Sequence, residues 1–304
     1  MSAKKESKSD QQLHLAALQG NLSLLRRTLD GGKVHVDCKD KEGTTPLILA
    51  AANNHLQCVK ELLDQGAQLD ERRNTGTCAL FFAAQGGFQD IVKELLDRGA
   101  SVDLPSQDGG TPLFVACQCN HLDVVKELVS RGADVHRTMN DGATPLFIAA
   151  QNGHYNMLKY LLERDCDINQ SRVDKASPLW IAAQMGHADI IRELISHGAK
   201  IDSAREDGAT PLFKAAHKGH TDCVSDLVSH GASLGLLENG ESALHAAALF
   251  GHLKVVKQLI HAGADIHLKN KEGVTASDLA RDAGYDIISD FIHTAKQPSS
   301  HTTV

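Results

Sequence analysis

Aromatic residues make up only 4% of this 304-residue chain, with a single tryptophan. A core built around large rings is excluded, so the apolar surface has to be buried by Leu, Ile, Val and Ala between thin layers. Long apolar runs are absent too: nothing approaches the roughly 20 residues that a bilayer-spanning helix needs. The opening "MSAKKESKSD" has no apolar stretch behind its lysines, and Ser2 stands where myristoylation requires Gly, so neither a secretory leader nor that lipid anchor is expected. The seven cysteines are odd in number and lack framework spacing. Reduced thiols in the cytoplasm are the expectation, with the nucleus as the alternative. Strong basic charge is missing, since the net charge is −7; this disfavours a general affinity for nucleic acid or anionic membranes. There is also no nucleophile elbow, no phosphate-binding Walker loop and no paired C-x-x-C. No catalytic residue, no cofactor and no metal site is assigned.

What the chain has in abundance is repetition. "GATPLFIAAQNGH" from Gly142 returns as "GGTPLFVACQCNH" from Gly109, "KASPLWIAAQMGH" from Lys175 and "GATPLFKAAHKGH" from Gly208. The Pro-Leu marker stands at Pro46, Pro112, Pro145, Pro178 and Pro211, with Ala79 and Ala243 in the same slot; the step is 33 residues, shortening once to 32 before Leu244. A Gly-Ala pair keeps the same beat from Gly66 to Gly263, with Asp165-Cys166 in the one divergent place.

Each unit carries its own folding instructions. Thr144 is placed to cap a helix, and Pro145 suits its first turn, where a missing N–H costs nothing. Ala149 and Ala150 let a neighbouring helix approach closely, and Gly153 stops the helix. A second helix follows with an i, i+1, i+4, i+5 apolar stripe: Met157, Leu158, Leu161 and Leu162 here, Ile190, Ile191, Leu194 and Ile195 one unit later. Two short helices with one stripe each cannot bury themselves alone; stacked, each pair covers the next.

A 33-residue unit reading T-P-L-x-x-A-A, then G-H, a second helix and G-A resembles the ankyrin repeat. The fold class expected is therefore all-α, an ankyrin-repeat solenoid of about nine helix-turn-helix units with short hairpin turns. Residues 1–9 read as a disordered polar N-terminus. The repeat domain covers 10–295, with units near 10–42, 43–75, 76–108, 109–141, 142–174, 175–207, 208–239, 240–272 and 273–295, and 296–304 form a flexible tail. The end units are atypical: the first lacks Thr-Pro and the last has Ser277 where Leu is usual. The resemblance implies a non-catalytic binding module that presents a concave groove and its hairpin tips to a protein partner; a monomer is expected, and the charge and the lack of long apolar runs point away from nucleic acid and membrane.

The period turns single residues into columns. His55, His121, His154, His187, His220 and His252 form one. Stacked helices lie about 8–10 Å apart, too far to share an ion at ligand distances near 2 Å, and the resemblance implies that these histidines bond backbone in the turns. Phe81, Phe114, Phe147, Trp180 and Phe213 stand where the family usually has His, which only His245 keeps. They are either packed rings or a partly exposed ladder that grips a partner, with Trp180 partly exposed in the groove. The slots that the family turns toward the groove hold Gln85, Gln118, Gln151, Gln184, His217 and Leu249, followed by Gly86, Cys119, Asn152, Met185, Lys218 and Phe250. They read as a solvated polar face or as a partner-binding one. Candidate contacts at the tips are Arg73, Asn74, Asp108, Asn140, Asp141, Asp174, Glu206 and Asp207. Leu236 and Leu237, beside the lost residue, are either extra packing or an exposed apolar spot. Cys58 and Cys223 fill stripe positions, and Cys117 and Cys119 point apart. Asn169 in "CDINQ" fits the asparagine that hydroxylases modify in such repeats. Thr302 and Val304 of the terminal "HTTV" resemble a ligand for PDZ domains.

Overall fold

The computed structural model describes residues 7–238 and 240–295. They fall into two compact units, one ending at Pro145 and one beginning at Leu146. The first holds α1 (Lys8–Gln19), α2 (Leu22–Asp30), α3 (Pro46–Ala52), α4 (Leu56–Asp64), α5 (Ala79–Gln85), α6 (Gln89–Asp97), α7 (Pro112–Gln118) and α8 (Leu122–Ser130). The second holds α9 (Pro145–Gln151), whose first residue is the boundary, then α10 (Tyr155–Leu162), α11 (Pro178–Met185), α12 (Ala188–Ser196), α13 (Pro211–Lys218), α14 (Thr221–Ser229), α15 (Ala243–Leu249), α16 (Leu253–His261), α17 (Ala276–Asp282) and α18 (Asp286–Thr294).

Within each unit the helices form two layers. In the first, α1, α3, α5 and α7 lie side by side in chain order, as do α2, α4, α6 and α8 behind them. In the second, α11, α13, α15 and α17 make one layer and α10, α12, α14, α16 and α18 the other. This is the all-α solenoid arrangement expected.

The local causes are those in the repeated sentence. The hydroxyls of Thr45, Thr111, Ser177, Thr210 and Ser242 each accept from the backbone N–H three residues on, and Pro fills the first turn behind four of those caps. The Ala pairs are wholly buried between neighbouring first helices, and the stripe residues Ile190, Ile191 and Leu194 are equally inaccessible. Gly186 and Gly219 cap α11 and α13 with φ of 85° and 76°.

One boundary differs from expectation. The chain is helical from Lys8, because Ser7 and Asp10 form a reciprocal capping box: Asp10 N–H donates to Ser7 Oγ (3.1 Å) and Ser7 N–H to Asp10 Oδ2 (2.9 Å). That Ser-x-x-Asp spacing overrides the polar composition of residues 7–9.

Four residues in slots that elsewhere hold Gly are side chains in the left-handed region: Asn54 (φ 60°), Asn120 (φ 63°), Asp165 (φ 52°) and Lys175 (φ 64°). The slot of Lys175 is glycine at Gly142 and Gly208, with φ of 84° and 81°. A Cβ there costs about 1 kcal/mol, and the Lys175 side chain is exposed. Lys175→Gly is expected to raise the thermal midpoint; calorimetry showing an unchanged or lower midpoint would contradict the strain.

Candidate functional site

The first helices end in solvent. Gln85, Gln118, Cys119, Asn152, Met185, Lys218, Leu249 and Phe250 are exposed there, and Gln151, Gln184 and His217 are half-buried. The backbone beneath them is tied by hydrogen bonds. His121 Nε2 lies 3.0 Å from Gln85 O, His187 Nε2 3.0 Å from Gln151 O, His220 Nε2 3.0 Å from Gln184 O and His252 Nε2 3.0 Å from His217 O. Because each acceptor is a carbonyl, Nε2 carries the proton. So the histidine column bonds backbone, as the resemblance implied, and it fixes the very residues of the candidate face. The rings of His55, His121, His187, His220 and His252 each lie against a glycine of the preceding unit: a Cβ on Gly186 would come within 2.8 Å of the His220 ring, on ground already restricted by a positive φ.

Three members of the column are not His: Asn21, which caps α2 with its side chain, Phe88 and Tyr285. Tyr285 packs over Gly251 in the last unit. Phe88 instead leans over Gly86 of its own unit, since the slot ahead of it is Asn54 rather than Gly. Gly86, placed by its slot on the candidate face, is thus the seat of a ring.

The hairpin tips are mostly bound within their own stack. Asn74 donates its N–H to Glu42 O (2.8 Å) and its side-chain amide to Lys41 O (3.2 Å). Asn140 does the same toward Asp108 O (2.8 Å) and Gln107 O (2.9 Å). Arg73 donates to Thr44 Oγ1 (3.1 Å) and pairs with Glu42. Asp141, Asp174 and Asp207 accept from Ala143, Ala176 and Ala209 N–H at 2.9, 3.2 and 3.1 Å. Arg205 reaches both Asp174 (3.0 Å) and Asp207 (3.2 Å). Burial works against the Asp174 charge, yet Ala176 N–H and Arg205 together hold its carboxyl below the usual range. Asp108 takes the Ser106 hydroxyl, while Glu206 is held by its N–H on Asp174 O at 3.0 Å.

The exposed ring ladder is not what the fold builds. Phe114, Phe147 and Trp180 are buried, and Trp180 is only 3% exposed; Phe81 and Phe213 are half-buried. Trp180 turns inward because its indole N–H has a partner there, Ala209 O at 2.8 Å. His245 Nε2 meets the equivalent Val274 O (3.2 Å), and His14 Nε2 meets Thr44 O (3.1 Å). Trp180 therefore does the work of the histidine it replaces. His14 is a second histidine in this slot, hidden from the sequence reading because the first unit lacks the Thr-Pro marker.

Another column escaped notice. Asp37, Asp70, Asp103 and Asp202 each accept the N–H of the residue after the next Gly-Ala, at 3.0, 3.0, 3.0 and 3.1 Å. Asn169 stands in this column and accepts Lys200 N–H at 2.9 Å. The period of 33 links these residues just as it links the apolar ones. Cys58 and Cys223 are buried in the stripes, and burial pushes the Cys223 thiol up to about 12. Cys117 is buried and Cys119 exposed. Leu236 is 44% exposed and Leu237 half-buried, so the apolar spot is Leu236 alone. Among the described residues no group of three ligands could hold a metal ion, and no helix is long and apolar enough to cross a membrane. Thr302 and Val304 lie outside the described residues.

His217 is the histidine of the face. Burial first, then Lys214, Lys218 and His252, holds its imidazole below the ordinary 6.5. Because the folded value is depressed, its contribution to stability is full above pH 6.5 and is lost as the pH falls through the folded value. Acidification from about pH 7 to 5 should therefore destabilise the wild type more than His217→Gln. Equal losses in paired denaturant titrations would contradict that.

Comparison with known proteins agrees with the geometry. A family model for ankyrin repeats in three copies matches residues 13–106, 99–172 and 179–270. Ankyrin repeat domain-containing protein 29 of Danio rerio is 48% identical over 73 residues, and that of Homo sapiens 47% over 73 residues, in each case 24% of this chain and 24% of the relative. The E3 ubiquitin-protein ligase KEG of Arabidopsis thaliana is 40% identical over 60 residues, 20% of this chain and 4% of that protein. The chain spans about a quarter of the length of the first two relatives, at 24% each. With the repeat model covering most of the sequence and each stack built from the same helix pair, the chain belongs to the ankyrin repeat family.

Proposed function

We propose that the chain is a non-catalytic adaptor that holds a protein partner against the exposed ends of its first helices. Ankyrin repeats generally mediate protein–protein interaction. The observation that carries the finer reading is a division of labour between side chains. At the tips, Asn74, Asn140, Asp174 and Asp207 are engaged inside the stack. At the ends of α9 and α11 the backbone is fixed through the carbonyls of Gln151 and Gln184, and the side-chain amides of these two residues take no part in that bonding. A base tied in this way, with side-chain donors and acceptors outside that bonding, suits binding, since little ordering cost remains. The adaptor is expected to work as a monomer in the cytoplasm.

Crosslinked affinity capture followed by mass spectrometry tests this, comparing the full chain, a chain lacking residues 302–304, and Gln118→Glu/Gln151→Glu/Gln184→Glu. Partners lost only with the glutamine changes support the first-helix face. Partners lost only with the tail would make the stack a passenger on a PDZ-type anchor, against this reading.

A further inference from the structure

The second stack carries an apolar spot that the repeat does not require. Met185, Leu249 and Phe250 are 47%, 40% and 46% exposed. They end α11 and α15, the two helices on either side of α13. Between them lies the His217 ring, its centroid 4.2 Å from that of Phe250 and 6.4 Å from that of Phe213. Three large exposed apolar groups and an imidazole thus share one short stretch of the first-helix face. Solvent alone gives no reason to gather them there.

Charge narrows what could cover them. Lys214 and Lys218 stand one turn apart on α13, on the side of His217. Neither makes an ion pair among the described residues. The Lys214 ammonium lies 5.4 Å from the Trp180 ring centroid, and Lys218 is exposed. The flanking helices "PLWIAAQM" and "ALHAAAL" contain no charged residue other than a histidine. The nearby carboxylates are Asp207, paired with Arg205 at 3.2 Å, and the exposed Asp282 on α17. Beside the apolar spot, Lys218 is exposed with no ion pair among the described residues, and Lys214 has as its neighbouring carboxylate only Asp207, which Arg205 already holds.

We propose that this face of the second stack binds an acidic peptide segment through an apolar anchor. One large apolar side chain of the peptide lies on Phe250, His217 and Met185, and neighbouring carboxylates pair with Lys214 and Lys218. The neutral state of His217, kept by burial and by the two lysines, lets the ring act as apolar surface. Binding buries the apolar groups, which favours association, while the paired charges set specificity and on-rate. The inference rests on the reading that the first-helix ends are the partner-binding face.

The test is selection of a random twelve-residue peptide library displayed on phage against the immobilised full chain. Enriched peptides are then titrated by fluorescence polarisation. They should carry Phe, Leu or Trp beside two or more Asp or Glu. Their affinity should fall about tenfold in the lysine variant Lys218→Glu and in Phe250→Ser, with thermal midpoints unchanged, and should weaken with added salt. Enriched peptides without acidic residues, or acidic ones that bind the lysine variant equally well, overturn the proposal. If those peptides are lost from Gln118→Glu/Gln151→Glu/Gln184→Glu, the first-helix face stands and only the acidic assignment fails. If no peptide is enriched, or all bind the lysine, Phe250 and glutamine variants unchanged, both readings fail. Self-association in ultracentrifugation that disappears in Phe250→Ser would give the face to a second copy of the chain, against the proposal.

Discussion

Native fluorescence from Trp180 is expected to be blue-shifted and resistant to iodide, and Trp180→Ala is expected to cost about 3–5 kcal/mol. The indole is 3% exposed. Its N–H donates to Ala209 O at 2.8 Å, and Arg205 and Lys214 lie over its ring at 5.4 Å from the centroid. Truncation removes both the packing and the bond to the next unit. Trp180→Phe separates the two terms. The ring stays, and Ala209 O keeps Arg205 N–H at 3.0 Å, so the loss should be about 1 kcal/mol, that of one hydrogen bond. A red-shifted native emission, or an alanine variant as stable as the wild type, would contradict the inward placement.

The second large effect is expected at Leu194. It lies wholly inaccessible on α12 with Ile190 and Ile191, and Leu194→Ala should cost about 2–5 kcal/mol through lost transfer energy and a residual cavity. In a stack, stability is a sum of unit terms and neighbour terms, so the cavity weakens the packing of α12 on α10 and α14 as well. Gln151→Ala, by contrast, removes an amide that the stack does not use, and its midpoint should hardly move. Denaturant unfolding of the two variants checks the pair. A collapse at Gln151 would show the column to be structural.

The helix pairs were legible in the sequence because their causes are local and repeated. Thr210 before Pro211, Ala215 and Ala216, and Gly219 each do the same job in every unit that carries them. The histidine column was readable for the same reason. What was hidden depends on a neighbour. Whether Trp180 faces in or out is decided by Ala209 O, a carbonyl 29 residues away, which no pattern within one unit contains. The side chains of Asn74 and Asn140 look free in sequence because their acceptors, Lys41 O and Gln107 O, belong to the preceding tip. His14 and Ser7 sit in a unit that lacks the usual markers, so only their own bonding reveals them. The partner is the least legible, because Gln151, Gln184 and Met185 are where the repeat stops constraining the residue.

One measurement separates the two kinds of side chain most directly: the thermal midpoint and the captured-partner profile, recorded together for Leu194→Ala and for Gln118→Glu/Gln151→Glu/Gln184→Glu. The account predicts a large fall in midpoint for the leucine variant. It predicts a wild-type midpoint with loss of partners for the glutamine variant. A glutamine variant that unfolds early, or one that keeps both its stability and every partner, would contradict the claim that the stack holds the fold while the first-helix ends bind.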